Sequence, residues 1–279
     1  MPVTLNDFFP FKAVAIDLDG TLLSHDLTIS EANLAAIDDL HASGLEIILA
    51  SGRHHISMLP FARQLPQVKW MVSAQGAFAS DLDRATILYD NHLPTDKAAS
   101  IIDIGLNNQY SIVVYAKTGI FTLNENQWID YYIQLSGVKP TLTNKEAILN
   151  ESIFKVTFIG SEERIEAAKD LPEIQAWDLY KVRPLKKIFE FAGRGTSKGH
   201  GLKPLLAHLG IEASQLATFG DAPNDIPMFE IAGYSVAMDT GWKEAKAAAH
   251  AVSPVGPPES AFARAVCMLR EQAKRIEVS

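Results

Sequence analysis

Residues 11–24 read FKAVAIDLDGTLLS and place two aspartates, Asp17 and Asp19, directly after a short apolar run. The run KAVAI is apolar on both faces, which is typical of a buried strand in a parallel sheet. Two carboxylates at positions i and i+2 project to one side of an extended chain and repel each other. Gly20 follows them and allows the backbone to turn tightly. The stretch therefore predicts a buried strand that ends in a polar site.

Alternating strand and helix patterns continue on both sides of a long middle segment. After KAVAI we predict, in order, the helix SEANLAAIDDLHASG, the strand LEIILA, the helix ISMLPFARQL and the strand VKWMVSA. Near the other end the pattern resumes with the helix TSKGHGLKPLLAHLG, the strand QLATFG, the helix PNDIPMFEIA, the strand YSVAM and a closing helix. Such alternation requires parallel pairing with helical crossovers. It predicts an α/β fold with a doubly wound, Rossmann-like parallel sheet.

The middle of the chain has a different pattern. YSIVVYAKTGIFTLNE predicts two strands around a turn, and ESIFKVTFIG and IQAWDLYKV predict further strands with a helix between them. We therefore expect two domains. Residues 1–82 and 187–279 would form a discontinuous catalytic core, and residues 83–186 would form an inserted α+β domain.

Composition excludes several classes of protein. The formal net charge of −8 argues against a nucleic-acid partner, because phosphate backbones require clustered cations. No apolar stretch is long enough to span a membrane, and MPVTLNDFFP lacks the basic and apolar regions of a signal peptide, so we expect a cytoplasmic protein without a membrane partner. The single cysteine, Cys267, lies in an apolar helical run and is predicted to be inert packing.

Polar residues directly follow several of the predicted strands. Open α/β sheets bind ligands beyond the carboxyl ends of their strands, so Asp17, Asp19, Ser51 and Asp221 should converge at one edge. Lys198, at the start of a helix, can join them. The repulsion between Asp17 and Asp19 has two remedies: a divalent cation, for which oxygen ligands favour Mg²⁺, or a proton retained on one carboxyl.

Four motifs in order resemble those of the haloacid dehalogenase-like phosphatases, and within them the Cof-type sugar phosphatases. They are DLDGT at 17–21, SGR at 51–53, the SKG around Lys198, and GDAPND at 220–225. The resemblance covers nearly the whole chain. The long insertion between the second and third motifs resembles the family's C2-type cap, which would set substrate specificity.

The resemblance implies a role for each matching residue. Asp17 would be the nucleophile that forms an aspartyl-phosphate, and Asp19 the general acid and base. The Asp17 carboxylate, the Asp19 carbonyl and the Asp221 carboxylate would hold Mg²⁺, with Asp225 acting through water or behind them. Phosphate would be held by the side chains of Ser51, Lys198 and Asn224 and by the backbone near Leu18 and Gly52, and Arg53 would pin its loop or meet the substrate.

The chain departs from the family pattern at three places. Gln75 stands where asparagine is usual, Asp239-Thr240-Gly241 stands where Asn-Ala is usual, and His250 takes a late acidic position. We expect none of these departures to affect the core chemistry.

His54 and His55 are expected to be exposed or to cap a helix rather than bind metal.

The expected activity is Mg²⁺-dependent hydrolysis of a small phosphorylated metabolite, by resemblance a sugar phosphate or a related compound. Two alternatives stay open: a phosphomutase of similar fold, and a phospho-accepting or ligand-binding protein without turnover. The sequence determines neither the substrate nor the oligomeric state.

Overall fold

The structure is a computed structural model and describes residues 7–278, so the part of the signal-peptide prediction that rests on residues 1–6 lies outside it. The strands are β1 (Ala13–Ile16), β2 (Glu46–Ala50), β3 (Val68–Ser73), β4 (Phe78–Asp81), β5 (Ile87–Asp90), β6 (Ser111–Ala116), β7 (Gly119–Thr122), β8 (Thr141–Leu142), β9 (Ile153–Ile159), β10 (Tyr180–Leu185), β11 (Ile188–Ala192), β12 (Leu216–Gly220), β13 (Tyr234–Ala237) and β14 (Ala251–Val252). The helices are α1 (Glu31–Ala42), α2 (His55–Ala62), α3 (Thr95–Asn107), α4 (Gln127–Ser136), α5 (Lys145–Leu149), α6 (Glu162–Ala168), α7 (Pro172–Ala176), α8 (Lys198–Leu209), α9 (Ile226–Phe229), α10 (Lys243–Ala248) and α11 (Ala261–Val278). Among these helices, none combines the length and apolar character that crossing a bilayer requires.

The chain divides into two compact units, which are described separately. Of the described residues, the first comprises 7–52, Met58–Tyr89 and 197–278, and the second comprises Arg53–Ser57 and Asp90–Thr196.

The first unit is built on an eight-stranded sheet with the order β14-β13-β12-β1-β2-β3-β4-β5. Pairing is parallel from β14 to β3, and β4 runs antiparallel to β3. Strand β1 is buried on both faces: Val14 and Ile16 pack in a core with α1 and α11, and Ala13 and Ala15 pack in a core with α8 and α9. The predicted α/β fold with a doubly wound parallel sheet is confirmed.

The position of β1 in the sheet determines where a ligand can bind. The chain runs from β1 to β2 and β3 on one side, whereas β12, β13 and β14 lie on the other. Such a reversal of strand order opens a crevice beyond the carboxyl ends of the strands. In this sheet the crevice lies after Ile16, Ala50 and Gly220, the last residues of β1, β2 and β12.

The second unit contains a six-stranded sheet with the order β10-β11-β9-β6-β7-β8. It is antiparallel except for the short β7–β8 pair. Alternate residues of β6, β9 and β11, such as Ile112, Phe158 and Phe191, pack with α3 in one apolar core. Two-residue periodicity places Tyr115, Lys155 and Glu190 on the opposite face.

Both domain boundaries lie later in the chain than the predicted 82/83 and 186/187. Strand β5 follows β4 in the first sheet, so the first unit continues to Tyr89. Strand β11 pairs with β9 and β10, so residues up to Thr196 belong to the second unit. The sheet that a strand joins depends on its hydrogen bonds to strands far away in the chain. The residue pattern within the strand itself does not reveal these partners.

Two further predictions about elements are wrong. The strand predicted over IQAWDLYKV begins only at Tyr180, because Pro172 opens helix α7 and this helix takes residues up to Ala176. Cys267 is exposed rather than packed, because α11 buries Phe262, Val266 and Leu269, and Cys267 lies on the other side of the helix.

Candidate active site

The crevice of the first unit collects acidic residues from two neighbouring strands. Asp17 directly follows β1, and its backbone N–H donates to the carbonyl of Phe219 at 2.9 Å. Asp221 directly follows β12. Carboxylate oxygens of Asp17, Asp221 and Asp225 all lie within 4.8 Å of one another. The predicted convergence of strand ends therefore produces a compact acidic cluster.

Lys198 is the cation of this cluster. It is the first residue of α8, a helix capped by the Ser197 hydroxyl, which accepts from the N–H of His200 at 3.2 Å. Its Nζ donates to Asp17 Oδ1 at 2.5 Å and to Asp225 Oδ1 at 2.6 Å. The side chain is fully buried, so solvent does not weaken these contacts.

Asp225 is held on both of its oxygens. Oδ1 accepts from Lys198, and Oδ2 accepts from the backbone N–H groups of Asp221 and Ala222 at 2.8 and 2.9 Å. Asp225 thereby holds the Lys198 ammonium and also the turn that carries Asp221. The sequence predicted Asp225 near a metal but did not reveal this bracing role, because the hydrogen bonds depend on the folded turn 221–225.

The electrostatics of the cluster follow from burial and charge. Burial raises the pKa of Asp17 well above its ordinary value, with Lys198 opposing and Asp225 and Asp221 adding to the rise. Burial likewise raises the pKa of Asp221 to about 7, with a further contribution from Asp225. Burial alone would lower the pKa of Lys198, but the carboxylates of Asp17 and Asp225 hold it above its ordinary value. The negative charge of the ionised carboxylates in the cluster therefore exceeds the positive charge of the one lysine.

Asp19 differs from Asp17 because its side chain is exposed. The turn after it is tight: the N–H groups of Leu22 and Leu23 both donate to the carbonyl of Leu18. At Gly20, which has a φ of 81°, a Cβ would lie 2.6 Å from Oδ2 of Asp221. Glycine at this position therefore allows the Asp221 carboxylate to approach the loop that carries Asp17 and Asp19.

Ser51, Gly52 and Asn224 form the neighbouring part of the site. Ser51 follows β2, is buried, and donates its backbone N–H to the carbonyl of Val72 at 2.8 Å. Asn224 donates from Nδ2 to Oε1 of Gln75 at 2.9 Å, and the Gln75 amide packs against Gly52. Gln75 was predicted to lie outside the core chemistry. The sequence marked Gln75 only as a departure from the family's usual asparagine, because its contacts with Gly52 and Asn224 depend on the fold.

Arg53 and the two histidines belong to the second unit. Arg53 donates from Nη1 to the carbonyl of Ser136 at 2.8 Å, which is a contact that pins its loop. His54 and His55 are buried, so the expectation of exposure is wrong. His54 does have the expected capping contact, since its Nδ1 accepts from the N–H of Ile56, and its Nε2 lies 2.8 Å from the carbonyl of Ala116.

The residues also fit a divalent cation. Among residues 7–278, no donor contacts Oδ1 of Asp221, although this oxygen is buried. An orphaned carboxylate oxygen beside other carboxylates supplies the oxygen ligands that Mg²⁺ prefers. The acidic cluster and its unsatisfied oxygen therefore match the predicted metal.

Comparison with known proteins places the chain in a family. A family model described as haloacid dehalogenase-like hydrolase matches residues 14–260. The 5-amino-6-(5-phospho-D-ribitylamino)uracil phosphatase YitU of Bacillus subtilis is 28% identical, with 82% of this chain and 86% of the relative covered. The pyridoxal phosphate phosphatase YbhA of Escherichia coli is 27% identical, with coverage of 86% and 92%.

A solved haloacid dehalogenase-like hydrolase from Bacteroides thetaiotaomicron has the same fold, with a TM-score of 0.84, 23% identity, and coverage of 93% of this chain and 99% of that one. The motif resemblance and the family model thus agree over the whole span that contains the acidic cluster. The chain belongs to the haloacid dehalogenase-like hydrolases of the Cof type.

Proposed function

We propose that this protein is a Mg²⁺-dependent phosphatase that hydrolyses small phosphomonoesters through an aspartyl-phosphate. The observation that carries the proposal is the contact between Asp17 and Lys198. Their 2.5 Å contact, inside the acidic cluster, pairs a nucleophilic carboxylate with a cation suited to phosphoryl oxygens.

The proposed Mg²⁺ ligands are the carboxylates of Asp17 and Asp221 and the backbone carbonyl of Asp19. Asp225 would act through water or behind them, a role supported by the hydrogen bonds that already engage both of its oxygens. Bound there, Mg²⁺ would neutralise the carboxylates and the negative charge of the phosphoryl group.

The chemistry assigned to the chain's own residues takes two steps. An Asp17 oxygen attacks phosphorus, the bond from phosphorus to the ester oxygen breaks, and Asp19 donates a proton to the departing alkoxide. Asp19 then takes a proton from a water molecule, which attacks phosphorus and releases phosphate and free Asp17. The exposure of Asp19 supports this assignment, because a proton shuttle must reach both the leaving group and water.

Other residues would hold the phosphoryl oxygens, where charge has to be stabilised. Lys198 can do so with the third hydrogen of an ammonium that already bonds two carboxylates. The remaining proposed phosphate contacts are the side chains of Ser51 and Asn224 and the backbone of Leu18 and Gly52.

We further propose that the substrate is a small phosphorylated metabolite such as a sugar phosphate. YitU and YbhA are named for a phosphoribityl compound and for pyridoxal phosphate. Relatives named for such different leaving groups support a shared phosphoryl site with a variable pocket. The second unit, which is inserted between the second and third motifs, is the proposed determinant of substrate specificity.

Phosphate release from a panel of phosphorylated metabolites tests the proposal, with kcat/KM compared across the panel. Asp17→Asn should abolish turnover, because an amide cannot form the aspartyl-phosphate. Asp170→Asn, which makes the same change at an exposed position of the second unit, is the matched control and should have wild-type activity. Phosphate release by Asp17→Asn at the wild-type rate would overturn the proposed nucleophile.

Two further measurements test the proposed proton shuttle and the proposed metal dependence separately. Asp19→Asn should be nearly as severe as Asp17→Asn, because departure of the alkoxide and attack of water both lose their proton shuttle. EDTA should abolish activity, and added Mg²⁺ should restore it. Full activity in metal-free protein would rule out the proposed metal dependence, and isomerised substrate without phosphate release would indicate a phosphomutase.

A further inference from the structure

A strained turn lies behind the phosphate-binding part of the proposed site. It comprises Ala74, Gln75 and Gly76, which follow β3 and have φ values of 51°, 61° and 92°. Non-glycine residues rarely occupy this left-handed region, and two of them in succession cost conformational energy. Such a turn persists only where its surroundings hold it in place, so its contacts are informative.

The backbone of this turn contacts two segments of the proposed active site. The N–H of Gln75 donates to the carbonyl of Ser51 at 3.2 Å. On its other side, a Cβ at Gly76 would lie 2.0 Å from the carbonyl oxygen of Ser197 and 2.7 Å from the backbone nitrogen of Lys198. The turn is therefore packed between the loop of Ser51 and the start of helix α8.

The Gln75 side chain makes a second pair of contacts. It is 3% exposed, and its Oε1 accepts from Nδ2 of Asn224 at 2.9 Å. A Cβ at Gly52 would lie 2.5 Å from Nε2 and 2.8 Å from Cδ of Gln75. One buried carboxamide thus touches Gly52 and Asn224, which come from different strand ends.

We propose that Gln75 is a positioning residue for phosphoryl transfer, an inference that rests on the proposed function. Its carboxamide sets the distance between the Gly52 backbone and the Asn224 amide, both proposed to contact the phosphoryl group. Asn224 directly precedes Asp225, the partner of Lys198, so the same contact also supports the turn that braces the lysine. Because the transferring phosphoryl group is common to all substrates, Gln75 should affect every substrate equally.

Gln75→Asn tests this role without adding backbone strain. Asparagine adopts the left-handed region more readily than glutamine, which should offset part of the stability lost with the buried Gln75 contacts, so the protein should still fold. Its side chain is one methylene shorter and cannot touch Gly52 and Asn224 together. We expect kcat/KM to fall on the order of 10- to 100-fold for each substrate, with the order of substrates unchanged.

Gln109→Asn is a matched control. Gln109 also has a positive φ, 55°, but it is exposed and belongs to the second unit. The same substitution there should relieve the same backbone preference and leave kcat/KM within twofold of wild type. If Gln75→Asn loses activity and Gln109→Asn does not, the loss is due to the contacts of Gln75 and not to replacing a glutamine by asparagine at a positive φ.

Binding of orthophosphate in the presence of Mg²⁺ supplies a readout that does not need turnover. Gln75→Asn should weaken its affinity by about the same factor as kcat/KM. The effects of Gln75→Asn and Asn224→Ala on this affinity should be non-additive, because each substitution breaks the same contact.

The outcomes separate the inference from the proposed function. Wild-type kcat/KM and orthophosphate affinity in Gln75→Asn would overturn the positioning role, as would losses that only follow a lower melting temperature. A changed order of substrates would overturn it too, by placing Gln75 at the leaving group. If the wild type releases phosphate from no compound, the proposed function fails, and orthophosphate affinity alone decides the role of Gln75.

Discussion

The Lys198 ammonium contacts Asp17 and Asp225, and Asp221 belongs to the same acidic cluster. With all three carboxylates ionised, the cluster carries an excess of two negative charges, which a single divalent cation would cancel. Without that cation, the charge can be reduced by protonation of a carboxylate. The raised pKa values of Asp17 and Asp221 show that these two carboxyl groups hold a proton more readily than usual. Mg²⁺ and protons should therefore compete for these carboxylates.

This competition predicts how stability depends on pH. Folding raises the pKa of Asp221 to about 7, so between about pH 4 and 7 the folded metal-free protein holds a proton that the unfolded chain has released. The free energy of unfolding contributed by this group therefore decreases as pH rises through that interval. Mg²⁺ requires the deprotonated carboxylate, so the stabilisation that Mg²⁺ adds should increase over the same interval.

Melting temperatures at pH 5, 6, 7 and 8, with Mg²⁺ or with EDTA, check this prediction. The difference between the two conditions should be small at pH 5 and largest at pH 8. Asp221→Asn should reduce the pH dependence, because an amide does not titrate, and Asp17, whose pKa is also raised, should account for part of what remains. A Mg²⁺ effect of equal size at pH 5 and pH 8 would contradict the competition.

At the scale of elements, strands β9 and β11 bury a charged pair in the second sheet. Lys155 Nζ donates to Glu190 Oε1 at 2.5 Å, and the two side chains are 2% and 9% exposed. Lys155 also lies directly opposite Tyr115 of β6, with Nζ 4.2 Å from the ring centre. Burial lowers the pKa of Lys155, and Glu190 opposes this shift.

Removing one member of this pair should be far more costly than replacing both. Lys155→Met leaves the Glu190 charge buried without its cation, which should lower the free energy of unfolding by about 3–5 kcal/mol. The double variant Lys155→Met/Glu190→Leu should recover most of that loss, since it removes both members of the buried pair. Urea denaturation of the two variants and the wild type measures both effects.

Lys145→Met provides a surface comparison. Lys145 pairs with Asp103, but those side chains are 33% and 54% exposed, so its removal should cost about 1 kcal/mol or less. The prediction fails if Lys155→Met costs no more than Lys145→Met. Such equality would mean that the buried carboxylate finds another partner or becomes protonated at little cost.

At the scale of the whole molecule, the proposed metal ligands all belong to the first unit. They come from the segments after β1 and after β12, which are far apart in the chain, so the cluster forms only when β1 and β12 pair. A bound cation should therefore stabilise this pairing, which joins Ile16 to Phe219 in the register of the sheet. Strands β6, β9 and β11 contribute no ligand.

Hydrogen exchange should show this asymmetry between the units. Adding Mg²⁺ to metal-free protein should slow exchange of the backbone amides in β1, β12 and residues 221–225, and leave β6, β9 and β11 nearly unchanged. Asp17→Asn should reduce the effect at all of these sites. Equal protection of both sheets would contradict the placement of the cation within the first unit.

Local sequence pattern predicts the structure best around β1, where pattern and fold agree. The alternation of apolar strands and amphipathic helices predicted parallel pairing around β1, because parallel neighbours need a helical crossover. It failed for β5, β11 and the start of β10, where the pairing partner or a helix-opening proline decided the outcome. His54 and His55 were expected to be exposed or to cap a helix. Both are buried, because burial depends on residues far away in the chain, although His54 makes the capping contact.

The sequence by itself determined the alternation of strands and helices around β1, the acidic residues after β1 and β12, and the family to which the chain belongs. Chain connectivity and side-chain chemistry suffice for those conclusions, since strand ends in a parallel sheet necessarily share an edge. Only the tertiary structure decided that Asp225 braces Lys198, that an Asp221 oxygen is left without a donor, and that Gln75 touches Gly52 and Asn224. Those features depend on distances of a few ångströms between residues far apart in the chain, and such distances are set by packing.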